Sequence, residues 1–302
     1  MYLKHFHLSE FPFGITPDTD FFFSSEGAQD ALNTLLIAAR TGEGFIKITG
    51  EVGTGKTLLC RKLIQILQKD FRTAYIPNPY LEPRALFMEL ASELEANIDP
   101  DAKLQQHQLL KALVLRLIDI IRHEKKRVVI CLDEAQAMPI ETLEAMRLLT
   151  NLETEKRKLL QVVIFGQPEL EHKLNHPAIR QLKQRITFDY HLRPLSRDEL
   201  DYYVHHRLLV AGYQGGRLFS RMAMWVVERK TRCVPRLVNV VAHKALLSAY
   251  GKGKRKVGML DVLAAANDTA SLRGGGFTRA LTYACVVVVG CGVAGLGWFY
   301  LL

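Results

Sequence analysis

The sequence predicts an α/β fold, a parallel sheet covered by helices on both faces, followed by a smaller all-helical unit and a terminal apolar segment. Three observations carry this. Apolar runs of strand length alternate with amphipathic helical stretches from Phe45 to Leu209; strand signals stop beyond Gly212; and residues 280–302 contain no Asp, Glu, Lys or Arg.

In chain order, strands are expected at Phe45–Thr49, Thr73–Ile76, Val128–Leu132, Leu160–Phe165 and Phe188–Leu192, each a short β-branched or aromatic run. Between them the 3.6-residue period predicts helices at Leu58–Lys69, Pro83–Asn97, Gln105–His123, Ile140–Glu153 and Arg197–Leu209. The last of these opens on Ser196 with Glu199 three residues on, a capping box. Three more helices, Ser220–Lys230, Pro235–Tyr250 and Leu260–Ala270, make up the second unit. The domains are therefore drawn at 1–212 (α/β), 213–270 (helical lid), 271–279 (a Gly-rich linker) and 280–302 (a transmembrane helix). A helix spanning 280–302 would be just long enough to cross about 30 Å of hydrocarbon, with Trp298, Phe299 and Tyr300 near its end. Lys252, Lys254, Arg255, Lys256, Arg273 and Arg279 all precede it, which puts the larger part of the chain on the cytoplasmic side of a bacterial inner membrane as a single-pass protein.

The first expected strand runs into Gly50, Glu51, Val52, Gly53, Thr54, Gly55, Lys56 and Thr57, a complete GxxxxGK[ST] phosphate loop between a strand and a helix. The glycines let backbone N–H groups turn inward, and the helix that begins beside Leu58 adds the positive end of its dipole. Lys56 would reach the β- and γ-phosphates, and the Thr57 hydroxyl would ligate Mg²⁺. No Asn-Lys-x-Asp guanine-reading motif is present, so ATP is expected as the nucleotide.

The third strand ends on Asp133 and Glu134. A strand buried on both faces delivers two carboxylates to the edge where open α/β sheets hold ligands, with Asp133 toward Mg²⁺ and Glu134 toward the attacking water. Gln167, after the fourth strand, would report the γ-phosphate or else cap the following helix. Arg180 and Arg185 precede the fifth strand, and a cation there would serve a neighbouring subunit as an arginine finger, with Arg185 favoured over Arg180. Arg236 sits in the first turn of a lid helix, a poor electrostatic position that is relieved if it faces the nucleotide.

The composition is compatible with this. The 302 residues are 48% apolar and carry a net charge of +9, and the five cysteines (60, 131, 233, 285, 291) form no CxxC spacing or disulfide framework. No signal-peptide h-region follows Met1. His172 and His176 lie four apart without further ligands, and His205 and His206 read as surface.

These motifs together resemble the AAA+ ATPases of the general secretion pathway protein A (ExeA) group. The likeness runs over nearly all of residues 1–270, through Phe11-Pro12-Phe13-Gly14, Thr49 to Thr57, Leu132-Asp133-Glu134-Ala135-Gln136, Phe165-Gly166-Gln167-Pro168, Leu182 to Arg185, and Pro235-Arg236-Leu237-Val238-Asn239. The resemblance implies an ATP-dependent homo-oligomer, a ring or a dimer, at the inner membrane. It would work with inner-membrane and periplasmic proteins that assemble an envelope-spanning machine, the MSHA-type type IV pilus in the branch the chain looks most like. It also implies that Phe11 to Phe13 and Pro17-Asp18 border the adenine pocket. One departure is Cys233, which stands where the family often has Gly before the Val-Pro-Arg turn. Secretion-type members continue past the membrane into a peptidoglycan-binding domain, so the end of this chain at Leu302 favours the pilus over secretin assembly in type II secretion. Further alternatives are a DNA-binding transposition or replication helper and a weakly hydrolysing scaffold. No zinc spacing, helix-turn-helix or aromatic-basic stripe supports a nucleic-acid partner. Lys252 to Lys256 would touch phosphate, anionic lipid or only water.

Overall fold

The computed structural model describes residues 2–98, 105–153 and 158–272. In chain order the elements are α1 (Tyr2–His5), α2 (Glu26–Thr41), β1 (Phe45–Gly50), α3 (Lys56–Leu67), β2 (Phe71–Ile76), α4 (Pro83–Glu93), α5 (Gln106–Asp119), β3 (Arg127–Leu132), α6 (Ile140–Thr150), β4 (Leu160–Gly166), α7 (Glu169–Leu174), α8 (Arg180–Lys183), β5 (Ile186–Leu192), α9 (Arg197–Val210), α10 (Arg221–Thr231), α11 (Pro235–Gly251) and α12 (Met259–Asn267).

Each expected strand and helix is present, with shifted ends. Helix α4 stops at Glu93 rather than Asn97, because Glu95 turns left-handed (φ 55°) and the Ala96 N–H closes back on Ala91. Strand β2 starts earlier, at Phe71, and β5 at Ile186, where each pairs along a parallel neighbour. Helix α2 was not foreseen. Its buried stripe is Ala31, Leu32, Leu35, Ala38 and Ala39, too poor in large side chains to stand out as a period.

The sheet order is β2-β3-β4-β1-β5, and every pairing is parallel. The connection from β1 through α3 must therefore pass over two strands to reach β2, which makes the carboxyl end of β1 a topological switch point. Register places Thr49 beside Gly166 and Leu132 beside Ile164, so β1, β4 and β3 end along one edge. Helices α2 and α3 cover one face over Ile46, Ile48, Val163 and Phe165. Helices α4, α5, α6 and α8 cover the other over Phe45, Ile130, Val162 and Ile164.

The apolar cores divide the chain differently from a boundary at residue 212. A third core gathers Leu200, Tyr203, Val204 and Leu208 of α9 with α10, α11 and α12, and takes in Tyr2, Phe6, Phe13 and Phe21 from the N-terminus. The helical unit thus begins with α9 and is completed by the first residues of the chain. Cys60, Cys131 and Cys233 are buried free thiols. Among the described residues no helix is long and apolar enough to cross a membrane. The expected linker beyond Leu272 and the expected span at 280–302 lie outside the described residues.

Candidate functional site

The loop after β1 folds as its glycines require. Gly53 and Gly55 take φ of 83° and 104°, conformations that L side chains resist, and the Thr54 hydroxyl donates to the Glu51 carbonyl at 2.9 Å. Lys56 is 5% exposed, and its Nζ donates to the carbonyls of Gly50 (2.7 Å) and Glu51 (2.9 Å). Burial pulls its pKa below the ordinary lysine value, opposed by the fields of Glu134 and Asp133. Among the described residues no carboxylate is bonded to it. Lys56, Thr57 and Leu58 open α3, and their N–H groups precede the first carbonyl in register to accept them. A buried ammonium bonded only to carbonyls, beside unpaired N–H groups, is a seat for an anion.

The Asp133 carboxylate lies across from this seat, 2% exposed. It accepts from the Thr57 hydroxyl at 2.6 Å and from the Glu134 N–H at 2.9 Å, both neutral donors. Burial raises its pKa, and those two bonds offset part of the rise. With the Thr57 hydroxyl, this carboxylate forms an oxygen donor set that suits Mg²⁺.

Glu134 occupies a left-handed backbone conformation, φ 52°, which is uncommon for a residue with a Cβ. Its Oε2 accepts from two amides, Gln136 Nε2 and Gln167 Nε2 (3.1 Å). Gln167 does not cap the next helix: α7 has Pro168 at its N-cap and no side-chain bond there. The expected reporter amide therefore sits on the expected water-activating carboxylate.

Arg236 is brought to the loop from the helical unit. Its N–H donates to Gly53 O at 3.1 Å, and a Cβ built on Gly53 would meet the Arg236 Cβ at 2.6 Å. Only glycine at 53 allows α11 to rest there. Arg185 is on the opposite edge of the sheet, one residue before Ile186, which pairs with Phe45 at the start of β1. Its Nη1 donates to Thr150 Oγ1 at 3.3 Å. At about 3.3 Å per strand residue, the length of β1 separates it from its own phosphate loop by about 20 Å. Arg180 is exposed on α8.

The N-terminal segment implied to border the base is strapped beside the loop. Arg61 of α3 donates to Pro17 O (2.8 Å), Asn239 of α11 to Gly14 O (3.3 Å), and Arg207 of α9 to Pro12 O and Gly14 O while stacking on Phe21. Arg207 and Asn239 had no assigned role in the sequence reading, because their partners are backbone carbonyls some two hundred residues away. Lys47 was missed as well. It is buried in β1, paired with Glu171 and with Asp189 (2.9 Å), and these bonds raise its pKa even though burial is the largest influence and lowers it. A charge inside an otherwise apolar strand was its signal. Of the basic turn, Lys252 and Lys254 are both tied to buried Asp261, at 2.7 and 3.1 Å, while their side chains stay about half exposed.

The chain is similar to known proteins in sequence and in fold. Residues 39–174 match the sequence profile of the AAA domain family. The chain is 39% identical to general secretion pathway protein A of Aeromonas hydrophila over 306 aligned residues, covering 99% of this chain and 54% of that protein. It thus spans about half the length of that curated relative. Among solved structures, Cdc6p of Pyrobaculum aerophilum superposes with a TM-score of 0.68 at 18% identity, over 87% of this chain and 73% of that one. The Aeropyrum pernix ORC2 protein, in ADPNP–ADP complexes, gives 0.61 at 19% over 84% and 69%. The Thermotoga maritima RuvB branch migration motor gives 0.53 at 14% over 80% and 68%. At those identities the likeness is one of fold. None of these relatives carries a pilus name, so the expected leaning toward the MSHA-pilus branch finds no support here.

Proposed function

Starting from a homologue of general secretion pathway protein A built on the P-loop AAA+ ATPase fold, we propose that this chain binds ATP with Mg²⁺ and hydrolyses it to drive assembly of a secretion machine in the bacterial envelope. The observation that carries the reading is the convergence of Lys56, Thr57, Asp133, Glu134 and Gln167 at one sheet edge, with Arg236 resting on the loop.

The residues divide the work. Residues 50–58 cradle the triphosphate, and Lys56 exchanges its loop carbonyls for phosphate oxygens. Thr57 and Asp133 would hold Mg²⁺, which when bound would supply charge neutralisation at the phosphates. Glu134 orients and deprotonates the attacking water, and Gln167 offers an amide N–H to the γ-phosphate. Arg236 carries the state of the nucleotide into the helical unit through its seat on Gly53. Arg185 is too distant to act on its own site and serves that of a second copy, so the active form is a homo-oligomer.

The secretion assignment rests on the name of the relative from Aeromonas hydrophila and replaces the pilus reading. Anchorage at the inner membrane through residues 280–302, with the ATPase unit cytoplasmic, belongs to the same proposal and is supported by the absence of charge in that stretch. Glu134→Gln tests the chemistry: the variant should bind ATP as tightly as wild type, accumulate as an ATP-bound assembly and hydrolyse at least about a hundredfold more slowly. Wild-type turnover in that variant would remove Glu134 from its role. Co-sedimentation of the full chain, but not of residues 1–272, with phospholipid vesicles tests the anchor.

A further inference from the structure

We infer that Gln136 is a positioning residue for hydrolysis, coupling the Gln167 turn to the aim of Glu134. The inference rests on the proposed role of Glu134 and adds a residue to which no role has been given.

The Gln136 side chain is committed at both ends. Its Nε2 donates to Glu134 Oε2, and its Oε1 accepts the backbone N–H of Gln167 at 3.0 Å. Gln167 Nε2 reaches the same Glu134 oxygen at 3.1 Å. Glu134, the Gln136 amide and the Gln167 turn therefore form a closed ring of three bonds. Gly166 keeps the space open: a Cβ there would stand 2.6 Å from Leu170 Cδ2 and 3.4 Å from Gln136 Oε1. The ring is centred on a residue whose own backbone is held left-handed, and the 3-10 turn Ala135–Ala137 that follows places Gln136 within reach of both partners.

The chemistry of the donors separates two roles. A Gln amide carries two N–H groups, so Gln167 is able to hold Glu134 with one and meet a phosphate oxygen with the other. Gln136 has its acceptor and one donor occupied inside the ring, and none of its bonds goes to residues 50–58, Thr57 or Asp133. It fixes how far Gln167 stands from Glu134, and leaves Glu134 Oε1, which accepts from no donor among the described residues, to face the water. Loss of Gln136 should then slow the chemical step and spare nucleotide binding.

The test uses the full chain and three measurements: steady-state ATP hydrolysis, affinity for a non-hydrolysable ATP analogue, and a double-substitution cycle. Gln136→Met keeps the shape and removes both bonds. Its kcat should fall about tenfold, with KM and analogue affinity within about twofold of wild type. Gln167→Met should also lose kcat, and the double variant should be no slower than the slower single one, because both act through one ring. Wild-type kcat in Gln136→Met, a parallel loss of analogue affinity, or losses that multiply in the double variant would each overturn the inference. If Gln136→Met fails to fold, Gln136→Asn, whose amide is withdrawn by one methylene, is read by the same criteria. Glu134→Gln is the control. Should it turn over normally, the reading of Glu134 falls; should it be inert while Gln136→Met is fully active, only the coupling falls.

Discussion

Two buried aspartates, one at the sheet edge and one in the helical unit, are built in opposite ways. Asp261, in the helical unit, is 0% exposed and accepts from Lys252 (2.7 Å), Lys254 (3.1 Å) and the Gly258 N–H (3.1 Å). Burial alone would raise its pKa, but those partners hold it down to about 2. Asp133, at the sheet edge, is buried nearly as deeply and receives only a hydroxyl and a backbone N–H, and its pKa is raised. The first is a finished ion cluster that closes the turn between α11 and α12. The second has beside it the Lys56 ammonium, which is bonded only to carbonyls, so charges of both signs stand ready for a ligand. A polar cluster that satisfies itself contributes stability, whereas one that does not is poised to bind.

The comparison breaks first at Lys56. Lys56→Ala should lose ATP affinity by at least about a hundredfold and hydrolysis with it, yet the ligand-free protein should melt no lower than wild type, since an unpaired buried cation has been removed. A fluorescent ATP-analogue titration and a thermal melt measure the two halves. Retained affinity would mean that the loop is not the anion seat.

Asp261→Asn should do the reverse: a loss of about 2 kcal/mol in urea unfolding, with unchanged turnover per folded molecule. The sign with pH follows from the depressed pKa. The contribution is complete above the unfolded carboxylate value of about 3.9 and fades as pH falls toward 2, so the stabilities of wild type and variant should converge in acid. Curves that stay parallel down to that pH would remove the ion cluster as the cause.

Gly53→Ala tests the joint between the two units. At φ 83° and 2.6 Å from the Arg236 Cβ, the added methyl must push α11 off the loop. ATP should bind about tenfold more weakly, roughly 1.4 kcal/mol, while the separate cores stay folded. The smallest effect is expected at Arg232, an exposed left-handed C-cap of α10 (φ 50°). Arg232→Gly should stabilise by about 0.5–1 kcal/mol without touching turnover. Glu134 has the same backbone strain, and there the strain belongs to the site: Glu134→Gly would relieve it and abolish hydrolysis.

Much of the site was legible because its parts are local. The phosphate loop needs glycines, a lysine and a hydroxyl at fixed spacing, and Asp133 and Glu134 need only a buried strand to end before them. Arg236 stood out as a cation in a helix's first turn, but the contact it makes with the loop is through its backbone N–H, which no side-chain argument foretold. Gln136 was visible within Leu132 to Gln136 but had no meaning until β4 lay beside β3, which puts Gln167 within 3.0 Å of it. The helical core was misdrawn because its N-terminal share, Tyr2, Phe6, Phe13 and Phe21, joins α9 to α12 from the far end of the sequence. Cys233, which stands where the resembled family often has Gly, takes a left-handed φ of 57°, a conformation that glycine adopts without strain.

The chain alone determined the alternating elements, the nucleotide loop, the acidic strand end and the apolar stretch at 280–302, because each depends on residues near one another in sequence and on periodicities fixed by backbone geometry. Tertiary structure decided the strand order that sets β1 between β4 and β5, the ring of Glu134, Gln136 and Gln167, the strap held by Arg207 and Asn239, and the pairing of Lys252 and Lys254 with Asp261. Those depend on side chains that meet only after distant segments have packed, and no local pattern encodes the meeting.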